Sequence, residues 1–420
     1  MSKLLGQTVL LCMLAVGASA DPWPAESFTA AKDISVPGME DDLSGAHWNP
    51  VDASLWVVRQ NRQVWKMQES GGTFTVVGHW TNLPTGDDLE AITQIDLAET
   101  DRFCVLHEDD GTVYLVDVST GSPTLVRSWQ LTLTGDMPYE SDPFGPEGMA
   151  FVPDESLGGF VDGSGQPYTS VNGMGGLFFI GHQIDGHVYV FDLDPDSDDV
   201  FDFVGEYATT RSETAALEFD RANGLLYIFH NLKAATWNET QVTDLTSSNV
   251  SDQRQFTTIC EYDAPPDAGG NTNMEGIALI HSDACDVDHD RYFFITVDGG
   301  DQESLKWFHK FPCDCNGNGV DDADDLAAGT SQDCNGNGRL DDCEAIDGGD
   351  FDADDYVDLD DFAAFLDCFA GPDALPAPPD PACVGACLSA FDWGDDNDVD
   401  LIDFAEFCAV FNISPPARTG

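Results

Sequence analysis

The chain has 420 residues, with 77 Asp and Glu against 16 Lys and Arg, a formal net charge of −61 at pH 7. That sign is wrong for phosphate contacts and excludes a nucleic-acid or anionic-lipid surface. The length predicts two or more domains, and the excess acidity reads as a solvated surface suited to saline water.

Residues 1–20 have the pattern of an export signal. Lys3 supplies the basic end, Leu4 to Val16 the apolar stretch, and Ala18-Ser19-Ala20 the small-residue cleavage site. The apolar run is too short to span a bilayer, and no later segment is long and apolar enough to do so. The sequence therefore predicts a mature chain from about Asp21, without a transmembrane segment, secreted outside the cell or held at its surface.

Residues 21–311 predict a mainly β domain, a five-bladed β-propeller. Short apolar or alternating runs recur between Gly, Asp, Asn and Pro. An internal repeat opens at Leu43-Ser44-Gly45, Leu89-Glu90-Ala91, Pro146-Glu147-Gly148, Glu213-Thr214-Ala215 and Met274-Glu275-Gly276. Second strands follow as LWVVRQ, RFCVLH, LFFIGH, LLYIFH and YFFITV, and third strands as VWKM, VYLVDV, VYVFDL, ATW and LKWFHKF. Counted from Ser44, Glu90, Glu147, Glu213 and Glu275, the units lie 46, 57, 66 and 62 residues apart, about one four-stranded blade each. The fifth unit stops too soon for a fourth strand, so the segment Phe28 to Val36 is expected to supply it and close the ring.

In this phase Ser44, Glu90, Glu147, Glu213 and Glu275 each open an innermost strand and should ring the axis at one mouth. Four converging carboxylates need a cation or sharply raised pKa values. A central Ca²⁺ suits a set of hard oxygen ligands; the other reading has each Glu capping backbone amides. Counting back along the second strands places Arg59, His107, His182 and His230 as a second ring. Such a ring beside a metal would bind anions or move protons as a catalytic set.

The tail begins at Pro312 and predicts small calcium-binding loop and loop–helix modules. Residues 312–420 hold 27 acids and only Arg339 and Arg418 as bases. Asp350, Asp352, Asp354, Asp358 and Asp361 fall at positions 1, 3, 5, 9 and 12 of a loop, the spacing at which a calcium loop offers oxygens. Asp314, Asn316, Asn318, Asp322 and Asp325 repeat that spacing, as do Asp333, Asn335, Asn337, Asp341 and Glu344. A fourth loop offers Asp392, Asp396, Asp400 and Asp403, but Gly394 stands at position 3, so it lacks one ligand. Phe362, Phe365 and Phe369 recur at helical spacing, as do Phe404, Phe407 and Phe411, and the two stripes should pack together. Eight of the cysteines lie here and predict disulfides, since such modules have little core of their own. In the propeller, Cys260 and Cys285 form a candidate bridge and Cys104 a buried thiol.

These stretches carry resemblances. Residues 347–413 resemble a type I dockerin pair with EF-hand-like loops, and 312–346 resemble thrombospondin type 3 calcium repeats, followed by a short flexible tail at 414–420. The combination resembles the tails of secreted planctomycete-type proteins. It implies Ca²⁺ as cofactor and a cohesin-like or cell-surface partner for the tail. LSGAHWNPVDASLWVVRQ, PEGMAFVPD and NMEGIALI resemble the SdiA-regulated (YjiK-like) propellers and, more distantly, phytase-like esterase propellers. The Ser44, Glu90, Glu147, Glu213, Glu275 order is similar to that of calcium-dependent apyrases. The likeness to esterases and apyrases implies a Ca²⁺-dependent hydrolase of phosphate or other esters, with His107, His182, His230 and Arg59 stabilising charge or shuttling protons. The other reading is a propeller that binds a small molecule or polymer at its mouth, with the tail for anchoring. No G-x-S-x-G nucleophile motif is present, and the negative body disfavours anionic substrates, which tilts the balance to binding.

Overall fold

The computed structural model describes residues 23–25, 29–30, 39, 42–69, 74–138, 145–232, 237–251, 253–263, 273–282, 291–298, 304–336, 339–343, 346, 348–352, 356–394 and 396–411. The export signal, Cys285, Asn337, Glu344, Asp354 and residues 414–420 lie outside them. Among the described residues no helix is long and apolar enough to cross a membrane.

The chain divides into two compact units, the second beginning at Cys313 apart from a few residues. The first is a five-bladed propeller of four-stranded antiparallel sheets. A short strand β1 (Thr29–Ala30) precedes blade one, which holds β2 (Leu43–Asn49), β3 (Ser54–Arg59), β4 (Gln63–Glu69) and β5 (Phe74–Thr81). Blade two holds β6 (Leu89–Thr93), β7 (Arg102–His107), β8 (Thr112–Asp117) and β9 (Thr124–Gln130). Blade three holds β10 (Pro146–Pro153), β11 (Gly176–His182), β12 (Val188–Leu193) and β13 (Phe201–Tyr207). Blade four holds β14 (Ala216–Asp220), β15 (Leu225–Leu232), β16 (Trp237–Val250) and β17 (Gln253–Tyr262). Blade five has β18 (Asn273–Leu279), β19 (Phe293–Asp298) and β20 (Leu305–Phe308), and β1 completes it by pairing Thr29 with Trp307. The segment ahead of the first repeat thus closes the ring, as the short fifth unit required.

The apolar runs are nearly continuous because each central strand is buried on both faces. Leu55 and Val57 of β3 face blade five, while Trp56 and Val58 face blade two. Leu225, Tyr227 and Phe229 of β15 pack toward blade five, and Leu226 and Ile228 toward blade three. Five hydrophobic clusters result, one between each pair of neighbouring blades. Each fully buried large side chain contributes roughly 1.5–3 kcal/mol.

Near the axis the innermost strands approach so closely that only glycine fits at two positions. A Cβ on Gly45 would lie 2.6 Å from the Glu90 carbonyl oxygen, and one on Gly276 would lie 2.5 Å from the Ser44 carbonyl oxygen.

The second unit is small and helical. It holds α1 (Asp322–Ala328), α2 (Leu359–Cys368), α3 (Val384–Phe391) and α4 (Leu401–Val410). The two phenylalanine stripes pack on each other as expected, with the Phe365 and Phe407 rings 5.3 Å apart. Disulfides join Cys315 to Cys343, Cys334 to Cys383, and Cys368 to Cys387. Cys408 is an exposed thiol. Cys260 is a buried thiol rather than half of a bridge, which corrects the Cys260–Cys285 pairing; it packs among Val242, Tyr262 and Ile277 in the core between blades four and five.

Candidate functional site

Four of the five expected ring residues share one structural device. Ser44, Glu90, Glu147 and Glu275 are each the extra residue of a β-bulge, at the register shifts Leu43/Gly45, Leu89/Ala91, Pro146/Gly148 and Met274/Gly276. A bulge re-aims the side chain that it adds. All four residues are buried. Glu90, Glu147 and Glu275 line one small axial cavity of about 10 Å³, together with Gly45, Gly148 and Gly276.

Glu213 does not join them. Gly148 pairs with Gly181 in blade three, and Ala216 pairs with Phe229 in blade four. The residue preceding these is Glu147 in one blade and Ala215 in the other; Ala215 packs in the core between blades four and five, and blade four lines the axial cavity with Ala216 and Leu217. The cause is that β14 starts at Ala216 without a bulge. The Glu213 backbone carbonyl instead faces His230 Nδ1 at 2.9 Å.

The second ring is also displaced. The bulges put Leu43 opposite Arg59, Leu89 opposite His107, and Pro146 opposite His182. The ring residue is offset by one, and each candidate cation or imidazole is engaged locally. Arg59 donates to Asp42 at 2.9 Å. His107 Nδ1 bonds Asp110 Oδ1 at 2.7 Å. Burial opposes charge on His107, but Asp110, with Asp109 and Asp88, outweighs it and raises its pKa. His182 is fully buried; its Nδ1 accepts from the Ile184 N–H at 3.1 Å and its Nε2 meets the Pro138 carbonyl at 3.3 Å. His230 is fully buried as well, and burial pushes its pKa down to about 4. The ring nitrogens of His107, His182 and His230 meet different groups, Asp110, the Pro138 carbonyl and the Glu213 carbonyl, while Thr214 lies against two of the three residues, its N–H on the His182 carbonyl and its Oγ1 3.5 Å from His230 Nδ1.

The groups that meet the carboxylates are the residues one position further on. Glu108 follows His107, and its carboxylate lies with those of Asp88 and Glu90, all ligand atoms within 4.8 Å of one another. Glu108 also accepts from the Gly145 N–H at 2.9 Å. Gln60 hydrogen-bonds to Glu90, and Ser44 Oγ is buried without a hydrogen-bond partner among the described residues. Asn231 follows His230 and donates to Asn273 at 2.6 Å, and Asn273 in turn donates to Glu275. Gln183 follows His182 and is buried, with neither end of its amide hydrogen-bonded among the described residues. Burial, then Glu108 and Asp88, push the Glu90 carboxyl up to about 8. Asp88 adopts a left-handed φ of 67°, and Asp42 one of 52° at the same step of blade one; Asp tolerates this better than most residues. The repeated DDL at 41–43 and 87–89 was the sequence signal for Asp88.

The donors at this mouth are carboxylates, amides and a hydroxyl, with no nitrogen or sulfur ligand among them. The set fits a hard cation such as Ca²⁺.

In the tail, Asp350, Asp352 and Asp361 converge within 4.8 Å. Asp361 accepts from the Phe351 and Asp358 N–H groups at 2.6 and 2.8 Å. Positions 9 and 12 double as helix caps, because Asp358 with Asp361 and Asp400 with Asp403 form capping boxes on α2 and α4. Among the described residues the sharp turn at position 6 is seen in two loops, with Gly319 at φ 82° and Asn397 at φ 65°. In the first two loops the position-9 residues Asp322 and Asp341 accept from the Cys315 and Cys334 N–H groups. Asn316 reaches Asp325 at 3.2 Å, while Asn335 donates instead to the Phe351 carbonyl. Asp392 accepts from the Asn397 N–H at 2.9 Å and Asp403 from the Trp393 N–H at 3.0 Å. Asp396 is exposed beside Gly394. Asp314 is buried.

A family model described as SdiA-regulated matches residues 23–157, which span blades one and two and the first strand of blade three. The match falls on the propeller and agrees with the resemblance of its blade-opening stretches. No curated protein matches the chain. Among solved structures, the chain is similar to Kuenenia stuttgartiensis hydrazine synthase at 11% identity, covering 63% of this chain and 58% of that one, with a TM-score of 0.33.

Proposed function

We propose that this is an exported propeller protein that binds Ca²⁺ at one mouth and, through it, a ligand rich in oxygen donors. Its calcium-loop tail would anchor it or join it to a partner. The observation that carries the reading is the clustering of half-buried Asp88 with buried Glu90 and Glu108, beside Glu147 and Glu275. That much carboxylate in so little space is favourable only with protons or a cation. Binding is preferred to ester hydrolysis because His107, His182 and His230 are held in separate local hydrogen bonds. The SdiA-regulated match supports the propeller half of this reading.

Glu90→Gln tests it. A carboxyl raised to about 8 holds its proton at pH 7 in the folded chain. Ca²⁺ should displace that proton, so calorimetry in buffers of different ionisation enthalpy should show proton release on calcium binding that the variant lacks. The sign without calcium is also fixed. A carboxyl with a raised folded pKa contributes fully below its unfolded value of about 4.5 and loses that contribution as pH rises toward 8. In chelator, wild type should therefore lose stability over this window relative to Glu90→Gln. Equal proton release and equal calcium stabilisation in the two proteins would remove the mouth as a calcium site.

A further inference from the structure

A second polar group lies further along the axis and differs in chemistry. Two residues past the close-packed ring position, the innermost strands present His47, Thr93, Ala150, Glu218 and Ala278. Blades one and four are not neighbours in the ring, yet His47 Nδ1 reaches Glu218 Oε1 at 3.2 Å and Oε2 at 3.3 Å. Both side chains therefore point onto the axis. From blade five, His281 Nε2 comes within 4.0 Å of the same Glu218 Oε1. His47, Glu218 and His281 are 3%, 1% and 1% exposed. His47 Nε2, His281 Nε2 and Glu218 Oε1 are buried without a hydrogen-bond partner among the described residues.

These spacings are long for charge-assisted hydrogen bonds, which run about 2.7–2.9 Å. They match co-ligands, since two atoms each about 2.1 Å from one ion stand about 3–4 Å apart. We propose that His47, Glu218 and His281 hold a divalent transition-metal ion of the zinc class, which ties blades one, four and five together beside the seam where the ring closes. Two imidazoles and one carboxylate suit Zn²⁺ or its first-row neighbours and disfavour Ca²⁺ and Mg²⁺. The nearby guanidinium groups are already committed. Arg291 pairs with Asp220 at 2.5 Å, and Arg221 donates to the Gln94 and Ile95 carbonyls.

The test uses tag-free, full-length protein saturated with Ca²⁺, which fills the oxygen sites first. Co²⁺ is then titrated while visible d–d absorption is followed, and Zn²⁺ while the Tm is followed. One Co²⁺ per chain should give a band typical of imidazole ligation. Zn²⁺ at a hundredfold excess over its Kd should raise the propeller Tm by about 5 °C or more. His281→Gln and Glu218→Gln should each abolish both effects, and His79→Gln, at an exposed histidine, should abolish neither. If the buried variants fail to fold, anomalous scattering at the zinc edge from wild-type crystals decides, with a peak expected within bonding distance of all three side chains. No band and no Tm rise in wild type, effects that survive in His281→Gln and Glu218→Gln, or no anomalous peak at that place would overturn the assignment.

Discussion

His230 gives the sharpest test of the claim that the histidines beside the mouth are structural. It is fully buried, its Nδ1 faces the Glu213 carbonyl at 2.9 Å, and burial lowers its pKa from 6.5 to about 4. Above pH 6.5 both folded and unfolded chains carry it neutral, and its contribution is fully present. As pH falls below 6.5 the unfolded chain takes up a proton that the folded chain refuses until about pH 4, so stability is lost across that window. Each pH step costs up to about 1.4 kcal/mol, or about 3 kcal/mol in all. His230→Gln removes this dependence and weakens one hydrogen bond, worth about 1 kcal/mol. The variant should therefore be less stable than wild type at pH 7, and the gap should close or invert by pH 4.5. Urea unfolding followed by tryptophan fluorescence reads this directly, since eight of the nine tryptophans precede the tail. Parallel stability curves for the two proteins would mean that folded His230 protonates freely, and would restore it as a proton-transfer candidate.

Two further outcomes follow from close contacts and from ligand count. Gly45→Ala would place a methyl group 2.6 Å from the Glu90 carbonyl and 2.8 Å from the Ala91 Cα, both backbone atoms; it should cost about 1–3 kcal/mol in urea midpoint analysis. Gly158→Ala, with nothing within 4 Å of the new carbon, should be close to neutral, and equal effects would refute the close-approach account. In the tail, Asp350→Ala should weaken calcium binding at least about tenfold more than Asp392→Ala, because loop four already lacks a ligand at Gly394. Calorimetric titration of the two variants checks the order, and a larger loss in Asp392→Ala would contradict the loop assignment.

The blades were legible because a strand buried on both faces writes a long apolar run, as in LFFIGH and LLYIFH, and because the runs recur in phase. Ring closure was legible too, from the missing strand in the fifth unit. The site was legible only to within a residue. Pairing was counted as if each ladder were regular, but a bulge at Ser44, Glu90, Glu147 and Glu275 adds one residue and shifts every partner. That shift brought His107 into the reading in place of Glu108. Blade four has no bulge, so the phase that fits the other four blades overshoots there and selects Glu213 over Ala215. His47 and Glu218 were hidden for a different reason. They come from blades that are not adjacent in the ring, and no local spacing records a contact across the axis.

The central claim is that the mouth carboxylates are gathered around a cation. A crystal structure of the full chain grown with Ca²⁺ tests it most directly. The account predicts one strong axial peak, bound by Glu90 and at least one of Glu147 and Glu275, with Asp88 or Glu108 completing the shell at about 2.3–2.6 Å. Carboxylates satisfied only by backbone amides, water or shared protons, with no ion on the axis, would contradict it.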